Sequence, residues 1–307
     1  MISDVSMTKA ASYRDELIKH RLLIPTGAQG VYGFGATFDL VFRQFDALVS
    51  RVGAEDNAEV VRFPALLPRS DFERSGYLKS FPQLAGFVHS FGGDERAHTD
   101  MLRAVAHGGD WSDAVGMTDV VLTPATCYSV YPTLRGSTIE PAGQLFDVFG
   151  TCFRQEPSDD PTRMRMFRQR EYVCVGEPDR CRAHRDTWLE RAQLILHSVG
   201  LPIDTVVAND PFFGRGGRML AATQREQVLK HEIVVPINSI DRPTACVSTN
   251  YHQDTFGRAY DIRNARGSVA HSACVGFGLE RITLALFKHH GFDLALWPAR
   301  VRTTLEL

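Results

Sequence analysis

Two apolar segments, 145–155 (LFDVFGTCFRQ) and 166–176 (MFRQREYVCVG), are separated by a polar stretch of ten residues, 156–165. That pattern predicts two antiparallel strands joined by a loop, and the rest of the chain must pack around such a hairpin. Apolar residues recur at helical spacing over 13–22 and over 36–53, where they are Phe38, Leu40, Val41, Phe45, Leu48 and Val49. The second helix runs into 60–68, a short strand closed by Pro64 and Pro68. The segment 117–133 (MTDVVLTPATCYSVYPT) reads as a buried strand leading into a loop. Residues 181–200 form a helix with Trp188, Leu189, Ala192, Leu196 and Val199 on one stripe. Strands follow at 231–237 and 243–250, and GFGLERITLALFKHHG (276–291) closes the pattern as a glycine-led amphipathic helix. Strands and helices do not alternate as βαβ units. The expectation is an α+β fold, an antiparallel β-sheet flanked by helices, and not a Rossmann fold.

The sequence shows no internal repeat and no low-complexity linker, so one catalytic unit spanning 1–307 is expected, with an insertion or docking element around 180–230. The 34 basic residues are outnumbered by 36 acidic ones, which gives no bulk electrostatic case for gripping RNA or a membrane surface. The first twenty residues lack the apolar core of a signal peptide, and no run approaches a membrane span. Cys127, Cys152, Cys174, Cys181, Cys246 and Cys274 are scattered, which favours reduced thiols or metal ligands over a disulfide framework. A cytoplasmic address is the expectation.

Phe153-Arg154-Gln155-Glu156, a loop, and then Arg163-Met164-Arg165-Met166-Phe167 bring cations, a carboxylate and an aromatic ring into one hairpin. Arg154 can fork onto a phosphate where negative charge grows. Glu156 can accept from an adenine amino group, Phe167 offers a ring face, and Arg163 can reach a polyphosphate tail. A solvated basic hairpin is the bland alternative. Gly276-Phe277-Gly278-Leu279-Glu280-Arg281 enters the last helix, and its glycines permit close backbone approach to a ligand.

With the stretch ending at Pro64 or Pro68, these segments resemble, in order, the three motifs of class II aminoacyl-tRNA synthetases. The resemblance implies the class II catalytic core, a homodimer built on the first motif, and activation of an amino acid by ATP with magnesium. It makes Arg154 and Arg281 catalytic, with Glu156, Arg163, Phe167 and Lys230 on ATP. Lys230 can instead face the substrate carboxylate.

Cys127, Glu171 and Cys274 fall where three strands of such a core would converge. Two thiolates and a carboxylate leave one tetrahedral position open on zinc, where a substrate amine could bind. For each cysteine alone the plain reading is a small buried hydrophobe, and for Glu171 a partner of Arg168 or Arg170. Cys174 and Cys246 are rival ligands. The set is similar to that of the zinc-dependent seryl-tRNA synthetases of methanogens. It is more similar still to that of the bacterial amino acid:[carrier protein] ligases, as are the stretches 75–82 and 250–257. Ser248 and Asn250 are further candidates for the substrate pocket. One departure concerns magnesium: where seryl-tRNA synthetases place an acid before Ser-x-Asn, this chain reads Thr244-Ala245-Cys246-Val247-Ser248.

The first motif is reached by about residue 60 and the chain ends some 25 residues after Arg281, so no tRNA-binding module is expected. The resemblance then implies glycine or alanine as substrate and the phosphopantetheine thiol of a small acidic carrier protein as acceptor. The segment 209–218 sets Arg215 and Arg218 beside aromatics and is a candidate docking surface; a glycine-rich loop is the alternative. A minimal tRNA-charging enzyme that borrows its tRNA grip from a partner is the second reading. A non-catalytic amino-acid or nucleotide sensor is the third, and the retained Arg154 and Arg281 count against it.

Overall fold

The protein is represented by a computed structural model, which describes residues 12–307 apart from the side chains of Arg215 and Leu220. The opening segment 1–11 therefore lies outside the described residues.

Helix α1 (Tyr13–Lys19) and a small hairpin, β1 (Leu23–Pro25) and β2 (Tyr32–Phe34), lead into the long helix α2 (Ala36–Gly53). Strands β3 (Glu59–Arg62) and β4 (Leu66–Pro68) and the short helices α3 (Arg69–Arg74) and α4 (Tyr77–Ser80) follow. Next come β5 (Phe87–Phe91), α5 (Glu95–Ala106), β6 (Val115–Leu122) and β7 (Thr138–Ile139), then the hairpin β8 (Gln144–Phe153) and β9 (Met166–Gly176). Beyond it lie α6 (Pro178–Ser198), β10 (Asp204–Val207), α7 (Gly214–Glu226), β11 (Lys230–Val235) and β12 (Thr244–Gln253). The chain finishes with α8 (Thr255–Tyr260), β13 (Arg263–Asn264), β14 (His271–Gly278), α9 (Leu279–His290) and α10 (Ala299–Leu305).

Seven strands form the central sheet in the order β10-β11-β12-β14-β9-β8-β3. Neighbours are antiparallel except β3, which lies parallel to β8 at the edge. The expected antiparallel sheet is therefore present with one parallel strand added.

Side chains alternate across a strand, so each strand serves two faces. Helices α2, α6 and α9 cover one face. Their apolar stripes meet Tyr172, Ile233, Val235, Val247, Val275 and Phe277 in one core. Tyr172 stacks on Trp188 of α6 with ring centroids 4.0 Å apart. The C-terminal end of α2 has to be glycine, because a Cβ on Gly53 would lie 2.1 Å from the Tyr172 hydroxyl. The opposite face of β9, β11, β12 and β14 is covered at one end by a second core around Tyr131, Phe256 and Tyr260, and the rest is free and lines a cavity.

Three expectations change. The strand predicted within 117–133 is not buried: β6 belongs to a separate sheet, β4-β6-β5, and most of it is exposed or half-exposed. Only Val121 of its eight residues is buried, and the start of the strand, Val115-Gly116-Met117-Thr118-Asp119, offers little apolar surface to cover. Within 180–230, α6 belongs to the core and β10 to the main sheet, so only the stretch around α7 stands apart. That stretch is a helix, not a loop: Gly214 opens it with a positive φ of 75°, and Gln224 and Arg225 tie its last turn back. Among the described residues no helix is long and apolar enough to cross a membrane.

Candidate active site

The alternation of the strands places one set of polar residues on the free face. Register pairs Lys230 with Asn250 and Asn250 with Cys274. One row further, Glu232 pairs with Ser248, Ser248 with Gly276, and Gly276 with Glu171. Cavity-lining residues therefore come from four adjacent strands at two consecutive levels.

Cys127, from the loop after β6, meets Glu171 and Cys274 there; one ligand atom from each lies within 4.8 Å of the other two. All three are buried. Neither proposed arginine partner of Glu171 takes it. Arg168 goes to Glu280 at 2.7 Å, and Arg170 goes to Asp147 and to Asp46 at 2.9 Å. Instead, the Cys127 main-chain N–H donates to Glu171 Oε2 at 3.1 Å, which fixes one carboxylate oxygen. A Cβ on Gly276 would sit 3.4 Å from the Glu171 side chain, so glycine keeps that side open. Of the rival thiols, Cys174 lies 3.9 Å from Cys181, away from the triad, and Cys246 lines the cavity without joining it.

Burial pushes Glu171 up to about 7, and the neighbouring Cys274 charge adds to it. Hydrogen bonding between the two thiols holds Cys127 well above the usual thiol range and Cys274 well below. Three buried acids this close resist ionising together unless a cation neutralises them. Two sulfurs and one carboxylate oxygen are a donor set that zinc accepts, with a fourth position left for another ligand. The residues present therefore fit a zinc ion.

Beside the triad lie the cations. Arg154 sits over the Phe167 ring at 5.4 Å and donates from Nε to the Pro124 carbonyl at 3.2 Å. Arg281 donates from Nε to the Thr162 carbonyl and from Nη1 to that of Ala245, each at 2.9 Å. Burial lowers the Arg281 pKa, and repulsion from Arg163 and Arg154 adds to the shift. Cations gathered at such a cost can receive an anion. Arg163 and Glu156 pair with each other at 3.6 Å and are not among the cavity-lining residues.

Lys230 is buried between Asp210 at 2.6 Å and Glu232 at 2.9 Å. Burial alone would discharge it, but those two carboxylates raise its pKa. Asn250 Nδ2 lies 3.7 Å from Cys274 Sγ and 3.5 Å from Ser248 Oγ, so both predicted pocket residues are in the cavity. Arg218 is exposed on α7, and the Arg215 side chain lies outside the described residues. Sequence reasoning singled out none of Asp210, Glu232, His252, Tyr77 and Phe81 as site residues, although Asp210 lies in the 209–218 docking candidate and His252 in the stretch 250–257, and all five line the cavity. The two aromatics lie in the stretch 75–82 noted above, and period-2 alternation from Lys230 would have pointed to Glu232.

Residues 119–290, more than half of the chain, match the tRNA synthetase class II core domain (G, H, P, S and T). Over 282 residues the chain is 46% identical to amino acid–[acyl-carrier-protein] ligase 2 of Bradyrhizobium diazoefficiens, covering 92% of this chain and 84% of that protein. The chain belongs to the amino acid–[acyl-carrier-protein] ligase family, within the class II synthetases. Ligase 1 of the same organism is 43% identical, with 94% and 88% covered. More distantly similar to this chain is the type-2 serine–tRNA ligase of Methanopyrus kandleri, 26% identical over 85% of this chain and 53% of that one. The chain thus spans about half the length of that enzyme. The fold of the M. kandleri enzyme, solved in complex with A. aeolicus tRNASec, superposes with a TM-score of 0.82 at 21% identity, covering 96% of this chain and 60% of that one.

Proposed function

We propose that this ligase activates a small amino acid, glycine or alanine, with ATP and passes it to the phosphopantetheine thiol of an acidic carrier protein. The observation that carries the reading is the meeting of Arg154, Arg281 and the Cys127–Glu171–Cys274 triad in one cavity.

In the first step the amino-acid carboxylate attacks the α-phosphorus of ATP and pyrophosphate leaves. Arg154, steadied over Phe167, stabilises charge on the α-phosphate, and Arg281 holds the far end of a bent triphosphate. Arg163 reaches the tail from the rim, Glu156 receives the adenine amino group, and magnesium accompanies the phosphates. Cys127, Glu171 and Cys274 would hold zinc, which when bound supplies a Lewis-acid position for the substrate amine. Ser248 and Asn250 line the same pocket. The Lys230 ion pairs occupy the cavity wall beside Asn250, which supports a short substrate side chain. In the second step the carrier thiolate attacks the adenylate carbonyl, a thioester forms and AMP leaves with its electron pair.

The whole of 1–307 acts as one catalytic unit, with the docking element narrowed to α7 and the loop before it. Arg215 and Arg218 meet acidic groups of the carrier there. A homodimer is supported by the edge strand β3, where Val60 is 63% exposed. The setting is the cytoplasm.

The test is ATP–pyrophosphate exchange across the common amino acids, with zinc analysis of the same sample and thioester formation on a phosphopantetheinylated carrier. Exchange peaking at glycine or alanine, one zinc per chain and a labelled carrier are expected. No exchange with any amino acid would overturn the reading, and efficient charging of tRNA with an inert carrier would move the acceptor.

A further inference from the structure

His252 is a polar side chain that the steps above leave without a role. It lies on β12, two residues beyond Asn250, and lines the same cavity. Its Nε2 is 3.6 Å from Cys274 Sγ, and its Nδ1 is 3.1 Å from Ser272 Oγ and 3.3 Å from the Tyr131 hydroxyl. Ser272 and Tyr131 are both buried. The ring is also gripped edge-on by Phe256, with centroids 5.1 Å apart, so it has little freedom to turn.

The proton inventory follows from these partners. A sulfur that binds metal is a thiolate, which accepts hydrogen bonds and cannot donate one. A neutral imidazole carries one N–H, so a bond to that sulfur places the proton on Nε2 and leaves Nδ1 as acceptor. The Nδ1 partners are hydroxyls, either of which can donate. His252 does not belong to the cluster of ligand atoms lying within 4.8 Å of one another, so it is not a fourth ligand that would close the site.

We propose that His252 is the positioning residue of the metal site, donating Nε2–H to the Cys274 thiolate while Ser272 and Tyr131 fix its tautomer from behind. The inference rests on the zinc reading above. It assigns Cys274 two N–H donors, His252 from one direction and Asn250 Nδ2, at 3.7 Å, from another. Two such bonds spread the sulfur's charge and orient its lone pair. Partners of this kind are worth about 10–100-fold in metal affinity.

The test is competition for zinc between the full-length protein and a chromophoric chelator, on wild type, His252→Ala and His252→Gln. The alanine variant should bind zinc about 10–100-fold more weakly, and glutamine, which retains an N–H donor, should recover part of the loss. Cobalt-loaded protein gives a second readout. Losing the hydrogen bond raises the energy of the sulfur electrons, so the thiolate-to-cobalt charge-transfer band of His252→Ala should move to longer wavelength. If the alanine variant is unstable, the Gln and Ser272→Ala proteins carry the same measurements. Wild-type zinc affinity and an unshifted band in His252→Ala would overturn the proposal while leaving the zinc site standing. A wild-type protein that binds no zinc would overturn both.

Discussion

Glu280 and Arg168 tie the glycine-led helix entry to the hairpin: Glu280 Oε1 receives Arg168 Nε at 2.7 Å, and Oε2 receives its main-chain N–H at 2.8 Å. One carboxylate thereby aligns β9, which carries Phe167 and Glu171, with the start of α9, which carries Arg281. Burial raises the Glu280 pKa, and Arg168 opposes that shift. The acid of the glycine-rich motif thus holds two elements together, and the arginine after it lines the cavity.

Replacing Cys127 or Cys274 with alanine should strip zinc and abolish adenylation while leaving the fold intact. Metal analysis with circular dichroism checks this, and zinc retained at wild-type stoichiometry would refute the triad.

Arg281→Ala should cost about 2–4 kcal/mol in the adenylation transition state, read as kcat/KM for ATP in pyrophosphate exchange. A rate within about twofold of wild type would contradict its place on the phosphates.

Arg218→Glu on the exposed face of α7 should raise the KM for the carrier, by about tenfold at low salt and less at high salt. Amino-acid-dependent pyrophosphate exchange should not change, because Arg218 is outside the cavity. Equal effects on both reactions would argue against docking there.

His184, buried with Nε2 3.1 Å from the Tyr172 carbonyl, has its pKa lowered by burial. The unfolded chain takes up that proton near pH 6.5, before the native state does. Below that pH the unfolded state binds more protons, so this stability is complete above about 6.5 and is lost as pH falls through it. Urea titrations of wild type and His184→Gln between pH 7.5 and 5.5 should show a flatter profile for the variant; parallel profiles would remove His184 from the account.

The hairpin, α2, α6, β11, β12 and α9 were legible because each carries a strong period or a glycine and proline boundary. Strand β6 was misjudged for a physical reason: a Val-rich run reads the same whether a second layer covers it or water wets it. Helix α5 carries an apolar stripe, with Leu102 and Val105, that sequence reasoning did not use, and in the structure that stripe is exposed. The triad was legible as residue types, but its meeting depends on strand order. Strand β14 lies between β12 and β9 although β12 and β9 precede it in sequence. Asp210 is tied to Lys230 and Gln224 by bonds spanning 20 and 14 residues, which no local pattern encodes.

The pairing of rows across β11, β12, β14 and β9 gives the site a built-in inspection of its own folding. Displacing β14 by one residue would turn Cys274 and Gly276 toward the helices and present Val275 and Phe277 to the cavity. Such a misregistered chain could stay compact, yet it would offer two ligand atoms to a metal in place of three. A metal taken up by all three ligands would therefore favour the correctly paired chain over the shifted one.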